Sequence, residues 1–412
     1  MTSHQTASTP EEIAEAAVDL AVELVRLDTV NPALVPGASG ESAAIELLRP
    51  RLEAAGFVCE VVTPPGRPDR PSLLARRPQP DRDRRCLLLN GHLDTVGVGD
   101  MSDPFGGRID GDRRSGRLLG RGACDMKGGV AGVVVAAEAL GRTDPTADLV
   151  VALVADEEDA SIGTETVIGR LAGLGRRPDA CLVTEPTWLD LAAAHRGFGV
   201  VDVEFRGRAA HSSRPADGVN AVAHMARLLA AVEDYDGHLR ARTAHPLLGH
   251  GTLLGTVAHG GSAPFSIPDS ATAVVERRTL PGEDAEVAVE EVQRILDRLQ
   301  AQDPTVHATC RLRLGRAAFE MGYAPAATDL AAALSEGLVK AGRPAPERIG
   351  APYWMESAMW QAVGVPTVVC GPAGGGMHAD DEWLDLAQLR PFAAALAEAA
   401  SAFIGVPARL LP

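Results

Sequence analysis

The chain has 412 residues, enough for roughly two or three domains, and its 46% hydrophobic and 23% charged content excludes wholesale disorder. Against 39 basic side chains stand 55 acidic ones, a net charge of −16, which argues against nucleic-acid binding and against attachment to an anionic membrane surface. No apolar run approaches the ~18 residues of a membrane span.

Apolar residues at helical spacing over 11–27, behind Ser8-Thr9-Pro10, predict a helix with a capping start. Ser42 to Ala55 predicts a second helix, with Gly56 placed to end it. Short β-like runs follow at Phe57 to Val62, Ser72 to Ala75 and Cys86 to Leu89, the last leading into GHLDTV. A helix of small residues from Lys127 to Leu140 precedes the apolar strand Leu149 to Val154, which ends in ADEED, and Cys181 to Val183 runs into TEPT. Apolar strands alternating with helices predict an α/β sheet buried on both faces. The acidic and histidine motifs follow strand C-terminal ends, the edge at which open α/β sheets build ligand sites.

The pattern then changes. An alternating strand from Gly197 to Phe205, a helix from Asn220 to Glu233, strands Gly251 to His259 and Ala271 to Arg278, a helix from Asp284 to Gln300 and a strand from His307 to Leu314 give the order β-α-β-β-α-β. This is the ferredoxin-like plan, filling 197–316. Helix–strand alternation resumes with Thr328 to Ala341, Pro366 to Cys370 and Ala387 to Phe403. The expected organisation is one α/β domain, 1–196 plus 317–412, interrupted by an α+β insert.

Metal-ligand residue types concentrate at His92 and Asp94 in GHLDTV, Asp125 in GRGACDMKGG, Asp156-Glu157-Glu158, Glu185 in TEPT and His378 in GGGMHADDE. Imidazole and carboxylate without thiolate suit zinc or a neighbouring divalent ion. Singly, each has an ordinary explanation: a hydrogen-bonded strand-end histidine, a solvated acidic turn, a helix cap at Asp125 or loop residues. So many candidates including one able to bridge suit two metals, about 3.5–4 Å apart, sharing a water and clamping a carbonyl oxygen. The cysteines at 59, 86, 124, 181, 310 and 370 include no CxxC pair and read as reduced thiols; Cys124 reads as packing. The polar, acidic start Met1–Ala17 does not resemble a signal peptide, so a cytoplasmic protein is expected.

Taken together, GHLDTV, GRGACDMKGG, ADEE, TEPT and MHADDE, in this order, resemble the M20 family of metallopeptidases and deacylases, which includes acetylornithine deacetylases and succinyl-diaminopimelate desuccinylases. The resemblance implies a zinc-exopeptidase-like catalytic domain, a mixed sheet flanked by helices, with a lid and dimerisation domain as the insert. It implies that His92 and Glu185 bind one metal, Glu158 and His378 the other, and Asp125 bridges both. Zinc is the implied metal, with cobalt or manganese as alternatives. Asp94 would orient the His92 imidazole, Glu157 would be the general base, and the Asp125–Met126 peptide would be cis.

In the insert, AHSSRPADGVNAV resembles the family's lid motif, in which His211 polarises the scissile carbonyl from the other subunit of a homodimer. Asn220 stands at the lid asparagine, where helix capping explains it equally well. Arg278 matches the arginine that pairs with a substrate carboxylate, whereas the adjacent Arg277 reads as a solvated charge. Phe265 stands where the family usually has a substrate-contacting asparagine, which favours a more apolar group. APYWMESAMW resembles the deacetylase branch, with Glu356 as a substrate-binding carboxylate and Trp354, Met355 and Trp360 as pocket or core residues. The implied activity is removal of the acyl group from an N-acyl amino acid; the alternative is an exopeptidase acting on short peptides.

Overall fold

A computed structural model describes residues 8–175 and 177–405. Of the polar start, 1–7 lie outside the described residues. The chain divides into two compact units, one formed by 1–193, 321–349 and 355–412, the other by 194–320 and 350–354. No helix among the described residues is long and apolar enough to cross a membrane.

The first unit is built on a six-stranded mixed sheet in the order Val58–Val62, Ser72–Arg76, Leu149–Val154, Leu87–His92, Ala180–Val183, Thr367–Val369. The first two pairings are antiparallel and the remaining three parallel. Every residue of Leu87–His92, Leu149–Val154 and Ala180–Val183 is buried, as the continuous apolar runs require of strands covered on both faces. Helices Pro10–Val25, Gly128–Thr143 and Leu386–Gly405 pack together in this unit. The first opens with a reciprocal cap: Thr9 Oγ1 accepts the Glu12 N–H at 3.2 Å, and Glu12 Oε2 accepts the Thr9 N–H at 2.7 Å. Ser42–Ala54 ends at Gly56, whose φ of 85° a side chain would strain.

The second unit holds an antiparallel four-stranded sheet in the order Thr252–Gly260, Ser270–Thr279, Gly197–Arg206, His307–Arg316. Helices Ala221–Arg240 and Val287–Gln302 interrupt the strands at the places the β-α-β-β-α-β reading expects. Their buried faces close a core of Val201, Val203, Phe205, Leu228, Val232, Val275, Val292 and Ile295.

One expectation is reversed here. Arg277, read as a solvated charge, is 1% exposed. Strand alternation turns it to the helix-covered face, where Nε donates to Glu291 Oε2 at 2.7 Å and Nη2 to Glu283 Oε1 at 3.0 Å. Trp360 and Met355 belong to the first unit's core, the Trp360 indole donating to Asn90 Oδ1 at 3.2 Å. Trp354, in the second unit, donates through Nε1 to the Ala317 carbonyl at 3.0 Å.

Candidate metal centre

The chain delivers the candidate ligands of the first unit where strands stop. His92 is the last residue of its strand, Glu157 and Glu158 follow Leu149–Val154, and Glu185 follows Ala180–Val183. At the turn, Asp156 takes a left-handed φ of 71°, and the two glutamates after it join different groups. Glu157 lies with His92 and Glu185, whereas Glu158 lies with His92 and Asp125; in each group the ligand atoms are within 4.8 Å of one another.

Asp125 occupies the middle. One carboxylate oxygen is 3.1 Å from His92 Nε2 and the other 3.3 Å from His378 Nε2. Glu185 Oε1 is 3.8 Å from His92 Nε2, and Glu158 Oε2 is 3.1 Å from His378 Nε2. The Asp125–Met126 peptide is cis. The first unit therefore gathers all of His92, Asp125, Glu157, Glu158, Glu185 and His378.

The electrostatics are those of a crowded set of anions. Burial, then the neighbouring Glu185, pushes the Glu157 carboxyl well above the usual range. Burial and Asp125 raise Glu158 to about 7, and burial and Asp125 likewise raise Glu185. Burial opposes ionisation of Asp125 too, but hydrogen bonds from His378 and His92 hold its carboxyl below the usual value. His378 is raised to about 10 by Asp125 and Glu158. Glu158 Oε1 is buried without a hydrogen-bond partner. An orphaned carboxylate oxygen, imidazole Nε2 atoms and a carboxylate presenting one oxygen to each side fit divalent cations.

A layer beneath holds these groups. His92 Nδ1 lies 2.9 Å from the Asp94 carbonyl, and donation there leaves Nε2 as the free lone pair. The Asp94 carboxylate accepts the N–H groups of Glu157 at 3.1 Å and Glu158 at 3.2 Å, and Asn31 Nδ2 at 2.8 Å. Arg70, fully buried, donates to Asn31 Oδ1 at 2.7 Å, Asp156 Oδ1 at 2.6 Å and Glu41 Oε1 at 2.5 Å. Asn31, Glu41 and Arg70 were missed in the sequence: each is a single polar residue with nothing local to mark it as buried.

The remaining candidates are Glu356 in the first unit and His211, Asn220 and Arg278 in the second. Glu356 is 1% exposed beside Thr164 and Asn90, and burial raises its carboxyl to about 7. Its Oε1 is buried without a hydrogen-bond partner, and its charge adds to the rise of the Glu157 and Glu185 carboxyls, so it lies near the ligand cluster. His211, in the second unit, is exposed, its Nδ1 2.8 Å from Ser213 Oγ. Asn220 caps helix Ala221–Arg240, accepting the Ala223 N–H at 3.1 Å. Arg278 pairs with Glu276 and lies over the Phe198 ring at 5.5 Å. Phe265 is 71% exposed.

A model of peptidase family M20/M25/M40 matches residues 88–402. The chain belongs to this family. The M20 chain is 31% identical over 371 residues to the acetylornithine deacetylase of Myxococcus xanthus, covering 88% of this chain and 92% of the relative. It is also 31% identical over 391 residues to a succinyl-diaminopimelate desuccinylase of Cereibacter sphaeroides, covering 92% and 96%. Among solved structures it resembles a tripeptidase from Staphylococcus aureus (TM-score 0.75, 17% identity, 95% of this chain and 98% of that one). It also resembles an M20 metallo-carboxypeptidase from Sulfolobus solfataricus (TM-score 0.71, 16% identity, 94% and 98%). The M20 protein is thus a metal-dependent hydrolase of amide bonds.

Proposed function

We propose that this M20 hydrolase is a dinuclear amidohydrolase that releases the acyl group of an N-acyl amino acid. The observation that carries the reading is Asp125 between His92 and His378, with Glu185 and Glu158 beside them. The deacetylase and desuccinylase relatives aligned over most of the chain support the substrate class.

Residues His92, Asp125 and Glu185 would hold one cation and Asp125, Glu158 and His378 the other, zinc being the proposed metal and cobalt or manganese the alternatives. The cations supply Lewis-acid activation of water and of the carbonyl. Glu157 takes a proton from the attacking water as the new C–O bond forms, and delivers it to the nitrogen as the C–N bond breaks. Burial that raises its carboxyl favours its holding that proton between the two steps. Asp94 keeps the His92 ring and the Glu157–Glu158 backbone in place.

The lid assignments belong to the same proposal: His211 donates to the carbonyl oxygen from a homodimer partner, and Arg278 pairs with the substrate carboxylate. The edge strand Thr252–Gly260, with Leu254 47% and Val257 41% exposed, supports pairing through this unit. The deciding experiment is hydrolysis of N-acetylornithine, N-succinyl-diaminopimelate, simple N-acyl amino acids and dipeptides by zinc- or cobalt-loaded protein. N-acyl substrates turn over if the reading holds; dipeptides alone would replace it with the exopeptidase reading. Mixing inactive His211→Ala with inactive Glu157→Ala subunits restores activity if the histidine acts across the dimer, and verified heterodimers without activity refute that arrangement.

A further inference from the structure

Glu382 lies four positions after His378, among the acidic residues Asp380 and Asp381, yet differs from both in being 2% exposed. Its carboxylate is saturated. Oε2 accepts Arg121 Nη1 at 2.8 Å and the Gly122 N–H at 2.8 Å. Oε1 accepts the N–H groups of Cys124 and Asp125, each at 3.0 Å. The Glu382 carbonyl also accepts the Gly120 N–H at 3.1 Å. A carboxylate offers about four lone-pair positions, and all are used here by one short segment.

That segment leads into Asp125. Gly122 has a φ of 77°, and a Cβ there would stand 2.5 Å from Thr95 Cγ2, so the glycine lets the chain curl its N–H groups around one point. Convergent backbone N–H groups form an anion-binding concavity. In this chain the anion is an internal side chain. Immediately after Glu382, strand Trp383–Asp385 pairs with Arg117–Leu119, the strand that enters the same segment. The strand ladder and the carboxylate thus tie the loop carrying His378 to the loop carrying Asp125 at two places.

We propose that Glu382 is a positioning residue of the metal centre, holding the Asp125 backbone against the His378 loop so that both oxygens of the bridging carboxylate are aimed before any metal arrives. The inference rests on the reading of Asp125 and His378 as ligands. Glu382 touches no reacting atom and acts through Asp125. Glu382→Gln keeps the size but replaces one oxygen by an N–H₂ group facing N–H donors, so at least part of the cradle is released. Loss of such a supporting contact typically weakens metal affinity by about 10–100-fold.

The test is metal binding by chelator-treated protein, read by competition of Zn²⁺ with a chromogenic chelator and by the visible spectrum of Co²⁺. Glu382→Gln, with its far-UV circular dichroism unchanged, should bind Zn²⁺ at least tenfold more weakly and shift the Co²⁺ bands; Glu382→Asp should lie between it and wild type. Wild-type affinity and spectrum in a folded Glu382→Gln protein would overturn the proposal. Should Glu382→Gln not fold, hydrogen exchange on chelator-treated wild type decides. Slow exchange at the amides of Gly122, Cys124 and Asp125 supports a preset loop, and fast exchange there refutes it. Wild type that binds no divalent metal would instead refute the ligand reading itself.

Discussion

Arg277 and Arg278 are adjacent in sequence and should fail in opposite ways. Arg277 is buried with Glu291, which is fully buried, and Glu283 also receives its guanidinium. Arg277→Met keeps the side-chain length but leaves the Glu291 carboxylate without its close cation; Arg242 Nη1 is 3.7 Å from Glu291 Oε1. Breaking a buried pair from one side costs about 3–5 kcal/mol, because the abandoned charge remains desolvated. Arg278 has a third of its side chain exposed, its ion pair among the described residues is with Glu276, itself 24% exposed, and the Phe198 ring lies 5.5 Å away, so Arg278→Met should cost about 0–1 kcal/mol. Urea denaturation followed by circular dichroism measures both. The double variant Arg277→Met/Glu291→Met should recover most of the loss, since an apolar pair of similar volume avoids the desolvation penalty. In the substrate assay the order should reverse, with Arg278→Met raising KM if its guanidinium takes the substrate carboxylate as proposed. An Arg277→Met protein within about 1 kcal/mol of wild type, or an Arg278→Met protein destabilised as much, would refute the reasoning.

Glu157→Ala should lower kcat by at least ~100-fold while keeping wild-type metal content, because a general base is not a ligand; metal loss on inductively coupled plasma analysis would mean that Glu157 and Glu158 have exchanged roles. Arg70→Met should cost about 3–5 kcal/mol in urea denaturation by leaving Glu41 and Asp156 buried without their cation; an unchanged midpoint would show that water replaces the guanidinium. Burial holds the His224 imidazole below its ordinary value, Asp303 opposing and Arg227 and His307 reinforcing the shift. Below about pH 6.5 the unfolded chain therefore binds a proton that the folded one refuses, and stability falls with pH until the folded value is passed. Between pH 7.5 and 5.5, His224→Gln should show a smaller decline in urea midpoint than wild type, and an equal decline would remove His224 as a source.

Where burial on both faces dictates the residues, the fold could be read directly. Leu149–Val154 is observed with the expected ends, because nothing but an apolar run fits the middle of that sheet. Strand Leu87–His92 extends past the apolar Cys86 to Leu89 run through Asn90 and Gly91, because Ala152, Leu153 and Val183 supply ladder partners that the local sequence does not announce. Helix Ala221–Arg240 likewise continues through Asp-Tyr-Asp-Gly, which resembles a turn. There Asp236 is 4% exposed and accepts the Leu253 N–H at 3.0 Å, a tertiary partner that stabilises the extra turns. Helix Ile162–Gly173 is not announced by the sequence because two of its four buried positions, Gly163 and Thr164, are not large apolar residues and leave only Val167 and Leu171 to mark the stripe. Strand Leu191–His195 is not announced because alanines favour helix in isolation.

The candidate site divides in the same physical way. Its ligand types stand beside strand ends within recognisable motifs, so they could be named from sequence. Glu382 ends the MHADDE motif but in sequence is indistinguishable from the exposed Asp380 and Asp381, since burial is decided by the N–H cradle and not by composition. The buried acids also fall into two classes that net charge merges. Glu41 and Asp156 pair directly with Arg70, and Asp94 lies 4.0 Å from it, so that group carries its own counter-charge. Among the described residues, the ion pairs of Asp125, Glu158 and Glu185 go only to His92 and His378. Asp125 and Glu158 raise the His378 imidazole so that it serves as a counter-ion while protonated, but imidazoles are metal ligands only in their neutral form. A cluster whose only partners can themselves become ligands is neutralised best by a cation that displaces their protons. The first class supports the centre without metal, whereas the second, without metal, relies on protons held by His92 and His378, so removing metal should perturb Asp125, Glu158 and Glu185 and leave the Arg70 group in place.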